Sequence, residues 1–111
     1  MNKVMLIGIV TKEPDVRYFD VDQAVAKVRL ATKERGYMAK NGTKVPDHTD
    51  WHNLVFFGPL AKIVEDHIHE GDKLYVEGRL RYSSYEDKSG TVHNQSEIMV
   101  ENMELLTPKR Q

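Results

Sequence analysis

One stretch in the middle of the chain, residues 50–58, constrains the fold more than any other. It holds the only Trp and two of the three Phe residues. β-Branched and aromatic residues dominate it and Gly58-Pro59 follows, so we expect a strand that ends there. Because side chains alternate along a strand, one face carries Trp51, Asn53, Val55 and Phe57, and the other His52, Leu54 and Phe56. Apolar residues on both faces predict a strand that is covered on both sides.

Size and composition limit the kinds of protein this chain can be. Its 111 residues, 40% hydrophobic and 30% charged, suit one globular domain with a single core. The absence of cysteine excludes disulfides, thiolate metal sites and thiol catalysis, and fits a reducing compartment. The apolar run 4–10 is too short to cross a membrane and no cleavage site follows it, so we expect a cytoplasmic protein.

The rest of the chain predicts four more strands and one helix. Strands are expected at residues 2–11, 24–33, 73–85 and 91–106, with further extended structure at 16–19. In the second strand the small and apolar side chains alternate with basic ones, which is typical of a strand with one wet face. A polar loop covers 34–48, where Asn41-Gly42 could close a small hairpin. The helix is expected from Pro59 to a stop at Gly71, with one apolar face made of Leu60, Ile63, Val64, His67 and Ile68.

Three strands, a helix and two more strands is the element order of an all-β OB-fold. This fold is a five-stranded, partly open antiparallel barrel with its helix between strands three and four. A generic five-stranded sandwich is the alternative that the pattern leaves open. We expect the domain to cover residues 1–107, with a short extension at 108–111.

Aromatic and basic side chains are interleaved in a way that suits single-stranded nucleic acid. Bases need flat rings to stack on, and phosphates need cations. The net charge of −1 means that the cations must be gathered on one face. The candidate binding residues are Trp51, Phe57, Tyr85, Tyr37, Lys27, Arg29, Lys33, Arg35, Arg79 and Arg81. Spacing alone equally allows Trp51 and Phe57 to be core residues.

No pattern in the sequence indicates catalysis, a metal or a cofactor. His67 and His69 are two apart on the predicted helix, so their side chains diverge, and no Glu-flanked histidine pair four residues apart is present. Nothing places two carboxylates around one site. We therefore expect a protein that is not an enzyme, with a small nuclease as the weaker alternative. The surplus apolar faces instead predict a homo-oligomer, with an interface formed by Met5, Ile7, Ile9, His52 and Leu54.

Seven short motifs follow one another along the chain: Asn2-Lys3-Val4 with Leu6-Ile7-Gly8, Pro14-Asp15-Val16-Arg17-Tyr18, Ala24-Val25-Ala26, Leu30-Ala31-Thr32, Thr49-Asp50-Trp51-His52, Phe57-Gly58 and Glu77-Gly78-Arg79-Leu80-Arg81. In this order and spacing they resemble the bacterial single-stranded-DNA-binding proteins over essentially the whole chain. The resemblance implies an OB-fold, usually a homotetramer, that binds and protects single-stranded DNA without sequence specificity during replication, recombination or repair. An OB-fold that binds RNA or assists replication restart is the alternative.

The resemblance also assigns roles to individual residues. It implies stacking on Trp51 and Phe57, places Tyr85 where many members have Trp, and places His52 at the subunit interface. A further family Trp falls at Gly36, beside the candidate substitute Tyr37. Basic residues of many members are replaced here by Asn53, Pro59 and Glu70, which predicts weaker phosphate contacts. The chain ends in Lys109-Arg110-Gln111 rather than an acidic tip, so we do not expect tail-dependent recruitment of replication and repair enzymes.

Overall fold

The computed structural model describes residues 1–108 and consists mostly of strands with one short helix. Residues 109–111, and with them most of the expected C-terminal extension, lie outside the described residues. The elements are β1 (Val4–Val10), β2 (Asp15–Asp20), β3 (Gln23–Glu34), β4 (Tyr37–Met38), β5 (Lys44–Val45), β6 (His48–Phe57), α1 (Pro59–His67), β7 (Lys73–Glu86) and β8 (Val92–Leu105). All five predicted strands and the helix are present near their expected positions.

Five of the strands close into a ring in the order β1, β7, β8, β6, β3 and back to β1. The short strand β2 lies outside the ring and pairs with the first half of β3. This arrangement confirms the OB-fold. One pair departs from the predicted antiparallel arrangement, because β6 and β8 pair in parallel, with Leu54 opposite Ile98. A ring with an odd number of strands cannot have antiparallel neighbours throughout, so one pair must run in parallel.

The inward faces of the strands supply the core, as the alternation predicts. On β3 the buried side chains are Ala24, Ala26, Val28 and Leu30. Opposite them on β6, Leu54 pairs with Val28 and is only 1% exposed. The prediction that Leu54 belongs to a subunit interface is therefore wrong. Its register places it against the core face of β3, so the protomer itself covers it.

One narrow stripe of α1 packs on the barrel, and this stripe differs in part from the predicted one. The buried residues are Ala61 and Val64, followed just past the helix by Ile68. Ile63 is 43% exposed and His67 is exposed, so the prediction that both lie on the packed face is wrong. A helix of nine residues makes contact along a single stripe, and the small side chain of Ala61 lets it lie close to the sheet.

The helix begins at Pro59, as predicted, but ends before Gly71. Its last residue is His67, and the extended Ile68 donates its N–H to the carbonyl oxygen of Val64 at 3.0 Å. Gly71 lies in the turn that leads to β7, where its φ of 92° is a left-handed conformation that glycine adopts without strain. Gly71 therefore shapes the connection after the helix rather than the helix end.

The predicted polar loop contains the small hairpin that Asn41-Gly42 suggested. Strands β4 and β5 pair with Tyr37 opposite Val45, and Gly42 occupies the turn with a φ of 85°. At the other side of the barrel, β7 and β8 stay paired well beyond the ring, as far as Glu86 opposite Val92. Two hairpin arms therefore project from the barrel, one from β4–β5 and one from β7–β8.

Candidate nucleic-acid interface

The outer face of β3 and β6 gathers exposed rings and basic side chains. Across the two strands, Trp51 pairs with Ala31, Asn53 with Arg29, Val55 with Lys27, and Phe57 with Val25. Trp51 is 56% exposed and Phe57 is 45% exposed. The interpretation of these two rings as core residues is therefore wrong. The structure brings four predicted binding residues together here, with Lys27 and Arg29 between the two rings along the strands.

A groove occupies the middle of this face, between Trp51 and Phe57. It has a volume of about 210 Å³. Val55 lies in it and is only 3% exposed, although it shares a face with the two exposed rings. The lining residues are Lys12, Asp15, Lys27, Val28, Arg29, Asn53, Leu54, Val55, Gln95 and Glu97. The sequence did not predict this groove, because Gln95 and Glu97 lie some forty residues away on β8 and reach it only through the ring closure.

Lys33 continues the basic face but is partly neutralised. Its Nζ lies 3.3 Å from the Asp47 carboxylate, and the Gly36 N–H donates to the same carboxylate at 2.7 Å. The Gly36 hydrogen bond, followed by Lys33, lowers the pKa of Asp47 below its ordinary value. Asp47 therefore ties the base of the β4–β5 hairpin to the end of β3, and phosphate must compete with it for Lys33.

The structure gives a physical reason why no large side chain occupies position 36. A Cβ added to Gly36 would lie 2.3 Å from the Val45 carbonyl oxygen, closer than any real contact. A ring cannot be accommodated there without moving the hairpin. Tyr37, the next residue, is 64% exposed at the start of β4. Arg35 is also exposed, beside Lys33 and Asp47, so both predicted residues are available at the surface.

The β7–β8 arm carries the remaining predicted residues. Arg79, Arg81 and Tyr85 lie at alternate positions of β7, on the face opposite Leu80, and all three are exposed. Arg79 pairs with Met99 of β8, which in turn pairs with Val55 of β6. These pairings connect the arm with the outer face of β3 and β6 through one continuous sheet. The structure thus places all ten predicted binding residues at the surface, while their contact with nucleic acid stays a prediction.

Tyr85 is held in a network at the tip of the arm that the sequence did not reveal. Its ring stacks on His93, with centroids 5.0 Å apart and an interplanar angle of 19°. The His93 Nε2 lies 2.6 Å from the Asp87 carboxylate. Asp87 also accepts hydrogen bonds from the Ser89 hydroxyl and from the N–H of Thr91. The Ser89 hydroxyl, followed by His93, lowers the pKa of Asp87 to about 2. The network fixes one face of Tyr85 and leaves the ring 52% exposed.

A second surface, the outer side of β1, is apolar. Met5, Ile7 and Ile9 are 60%, 54% and 43% exposed. His52 is half-buried, with its Nε2 2.8 Å from the Thr32 hydroxyl. Its neighbour along the same face, Leu54, belongs to the core, so of the five predicted interface residues only four are available for contact with another subunit.

Among residues 1–108, no three His, Asp or Glu side chains are grouped so that they could hold a metal ion. The helix within this same part of the chain is neither long nor apolar enough to cross a membrane.

Comparisons with known proteins agree with this geometry. The curated single-stranded DNA-binding protein of Bacteroides thetaiotaomicron is 52% identical over 109 residues, which cover 98% of this chain and 68% of that protein. Single-stranded DNA-binding protein 1 of Xylella fastidiosa is 37% identical, over 99% of this chain and 80% of that protein. The solved structure of the Plasmodium falciparum SSB in complex with single-stranded DNA superposes with a TM-score of 0.86 at 27% identity, over 96% of this chain and 95% of that one.

A family profile covers the barrel and its two arms. It describes the single-strand binding protein family and matches residues 1–106. The match, the two relatives and the barrel itself lead to the same conclusion: this chain belongs to the single-strand binding protein family.

Proposed function

We propose that this protein binds and protects single-stranded DNA, without a requirement for a particular sequence, during replication, recombination or repair. One observation carries the proposal: Trp51 and Phe57 are exposed on a single face with Lys27 and Arg29 between them. Rings that stack on any base, next to cations that contact any phosphate, provide affinity that tolerates sequence. A duplex keeps its bases stacked inside, so it cannot use these rings in the same way.

The path of the strand is part of this proposal. It runs along the outer face from Phe57 to Trp51, over Lys27 and Arg29, and continues to the two arms. Lys33, Arg35 and Tyr37 would bind it at one arm, and Arg79, Arg81 and Tyr85 at the other. The protein acts by binding alone, without catalysis, and works in the cytoplasm at the nucleoid.

The protein works as a homo-oligomer, and a tetramer is the form that we propose. Met5, Ile7 and Ile9 present apolar side chains on the outer side of β1, and the half-buried His52 of β6 is a further contact in this proposal. One edge of β1 pairs with β7 from Val4 to Ile9, whereas the other edge pairs with β3 only at Ile9 and Val10. In our proposal the contact with a second subunit uses the exposed apolar side chains of this strand.

The test is a titration of the full chain with a single-stranded DNA oligonucleotide, the matching duplex and the RNA of the same sequence. We expect the single-stranded DNA to quench the fluorescence of Trp51 and to bind much more tightly than the duplex. The logarithm of the affinity should fall linearly with the logarithm of the salt concentration, with a slope of about −0.7 per phosphate neutralised. Duplex binding of equal strength would contradict the proposal, and tighter binding of RNA would establish the RNA-binding alternative.

A further inference from the structure

The groove between Trp51 and Phe57 contains an acidic side chain, which is unexpected on a face that binds phosphates. Glu97 of β8 is only 8% exposed and lines this groove. Its Oε1 accepts one hydrogen bond, from the Ser83 hydroxyl at 3.1 Å. No lysine or arginine among residues 1–108 forms an ion pair with Glu97. A buried carboxylate with one neutral partner needs a further donor to offset its desolvation.

The second carboxylate oxygen of Glu97 is available to a ligand. In the described residues, no fully buried side-chain oxygen lacks a hydrogen-bond partner. The oxygen that Ser83 does not contact therefore retains exposed surface, on a side chain that lines the groove. The other acid of the groove, Asp15, has a partner, because the Arg17 Nε lies 3.5 Å from its carboxylate. Among the described residues, Glu97 is thus the carboxylate of the groove that has no cationic partner, and Lys12, Lys27 and Arg29 are the cations that line the groove with it.

The distance between the two rings places a nucleotide over this groove. Trp51 and Phe57 are six residues apart on one strand, which corresponds to about 20 Å. Directly stacked rings lie only about 4.5–7 Å apart. Bases stacked on Trp51 and Phe57 therefore cannot be neighbours in one stack, and at least one nucleotide must pass between them. Such a nucleotide would pass over the groove that Lys27, Arg29, Val55 and Glu97 line.

We propose that this groove is a base-binding subsite in which Glu97 accepts a hydrogen bond from the exocyclic amino group of cytosine. The inference rests on the proposed function and adds a preference at one position to a protein that otherwise tolerates any sequence. Carboxylates pair with the N4 amino group of cytosine. Thymine has a carbonyl oxygen at that position, which the Glu97 carboxylate repels. Val55 provides an apolar floor against which either ring packs.

The experiment compares oligo(dC) and oligo(dT) of equal length, bound to the full chain and to a Glu97→Gln variant at a pH above 7. In the native chain, the carboxylate favours dC. The neutral, isosteric amide can present its N–H group to thymine, so Glu97→Gln should tighten dT binding and leave dC binding equal or weaker. The ratio of the two dissociation constants should shift toward dT by at least about fivefold, the lower end for a good base contact. Glu101→Gln, an exposed residue of the same strand that does not line the groove, is the charge-matched control. It should change both affinities by the same factor.

A modified ligand makes the test independent of any effect on folding. An oligonucleotide of N4,N4-dimethylcytosine keeps a pyrimidine ring for stacking but has no amino hydrogen to donate. The native chain should bind it at least about fivefold more weakly than dC, and Glu97→Ala, which has no acceptor at this position, should remove most of that difference. If Glu97→Gln raises the affinity for dC and dT equally, Glu97 only repels phosphate and the subsite is refuted. If neither oligonucleotide binds the native chain, it is the proposed function that fails.

Discussion

Ile7, in the middle of the exposed apolar face of β1, provides the sharpest test of the proposed subunit contact. Full burial of a large aliphatic side chain is worth about 1.5–3 kcal/mol. Ile7 is 54% exposed in the single chain. Burying the exposed half at an interface therefore contributes about 1 kcal/mol to association. A two-fold interface contains both copies of the residue. Ile7→Asp should therefore weaken association by at least about 2 kcal/mol, which is roughly thirtyfold in the dissociation constant.

Sedimentation velocity over a range of protein concentrations measures this change directly. The native chain should remain a tetramer at concentrations where Ile7→Asp has dissociated to smaller species. Ile63→Asp is the matched control, because Ile63 is 43% exposed on α1, away from the β1 face. Each variant should lose no more than about 3 kcal/mol of its free energy of unfolding as a protomer, the range of ordinary single substitutions, so that both still fold. Equal assembly of the native chain and Ile7→Asp, or a native monomer at micromolar concentration, would show that this face is not the interface.

Two further predictions concern the core and the arm. Leu54→Ala should lower the free energy of unfolding by about 2–5 kcal/mol, because Leu54 is 1% exposed in the core. Denaturation in guanidinium chloride measures the loss. Unchanged stability of the Leu54→Ala protomer would show that Leu54 is not a core residue. The depressed pKa of Asp87, about 2 against 3.8, means that its contacts stabilise the arm above pH 4 and are lost as the pH falls toward 2. An NMR titration should place the Asp87 midpoint near 2, with Ser89 and Thr91 shifting together with it, and a midpoint near 4 would disprove the network.

Residue alternation was sufficient to predict most of the barrel. The small and apolar residues of β3 are buried and its basic residues exposed, because a two-residue period leaves no other arrangement for a strand with one covered face. The element order then selected the topology. The parallel pair β6–β8 was missed, because the direction of pairing between strands distant in sequence depends on how the ring closes. Leu54 was assigned to the interface for the same reason. Its burial depends on which residue of β3 it pairs with, and in the structure that residue is Val28.

The candidate site was predictable where it depends on single strands and not where it depends on their assembly. Trp51, Phe57, Lys27 and Arg29 follow from alternation once β3 and β6 pair. Residues that act through a neighbour from another strand were invisible in the sequence. Glu97 reaches the groove from β8 across the closed ring, and His93 meets Tyr85 across the β7–β8 arm. No local pattern marks either residue, since both lie in the continuous polar run 93–97.

The proposed function depends most directly on the exposed ring of Trp51. The decisive measurement is the affinity of Trp51→Ala and Trp51→Phe for a fluorescently labelled single-stranded DNA, together with the unfolding free energy of each variant. Removing a stacking ring costs about 1–3 kcal/mol of binding, which is roughly five- to 150-fold in the dissociation constant. Because Trp51 is 56% exposed, Trp51→Ala should lose this affinity and keep its stability to within about 1 kcal/mol, and Trp51→Phe should recover most of the binding. Native affinity in Trp51→Ala would contradict the claim that single-stranded DNA stacks on this face.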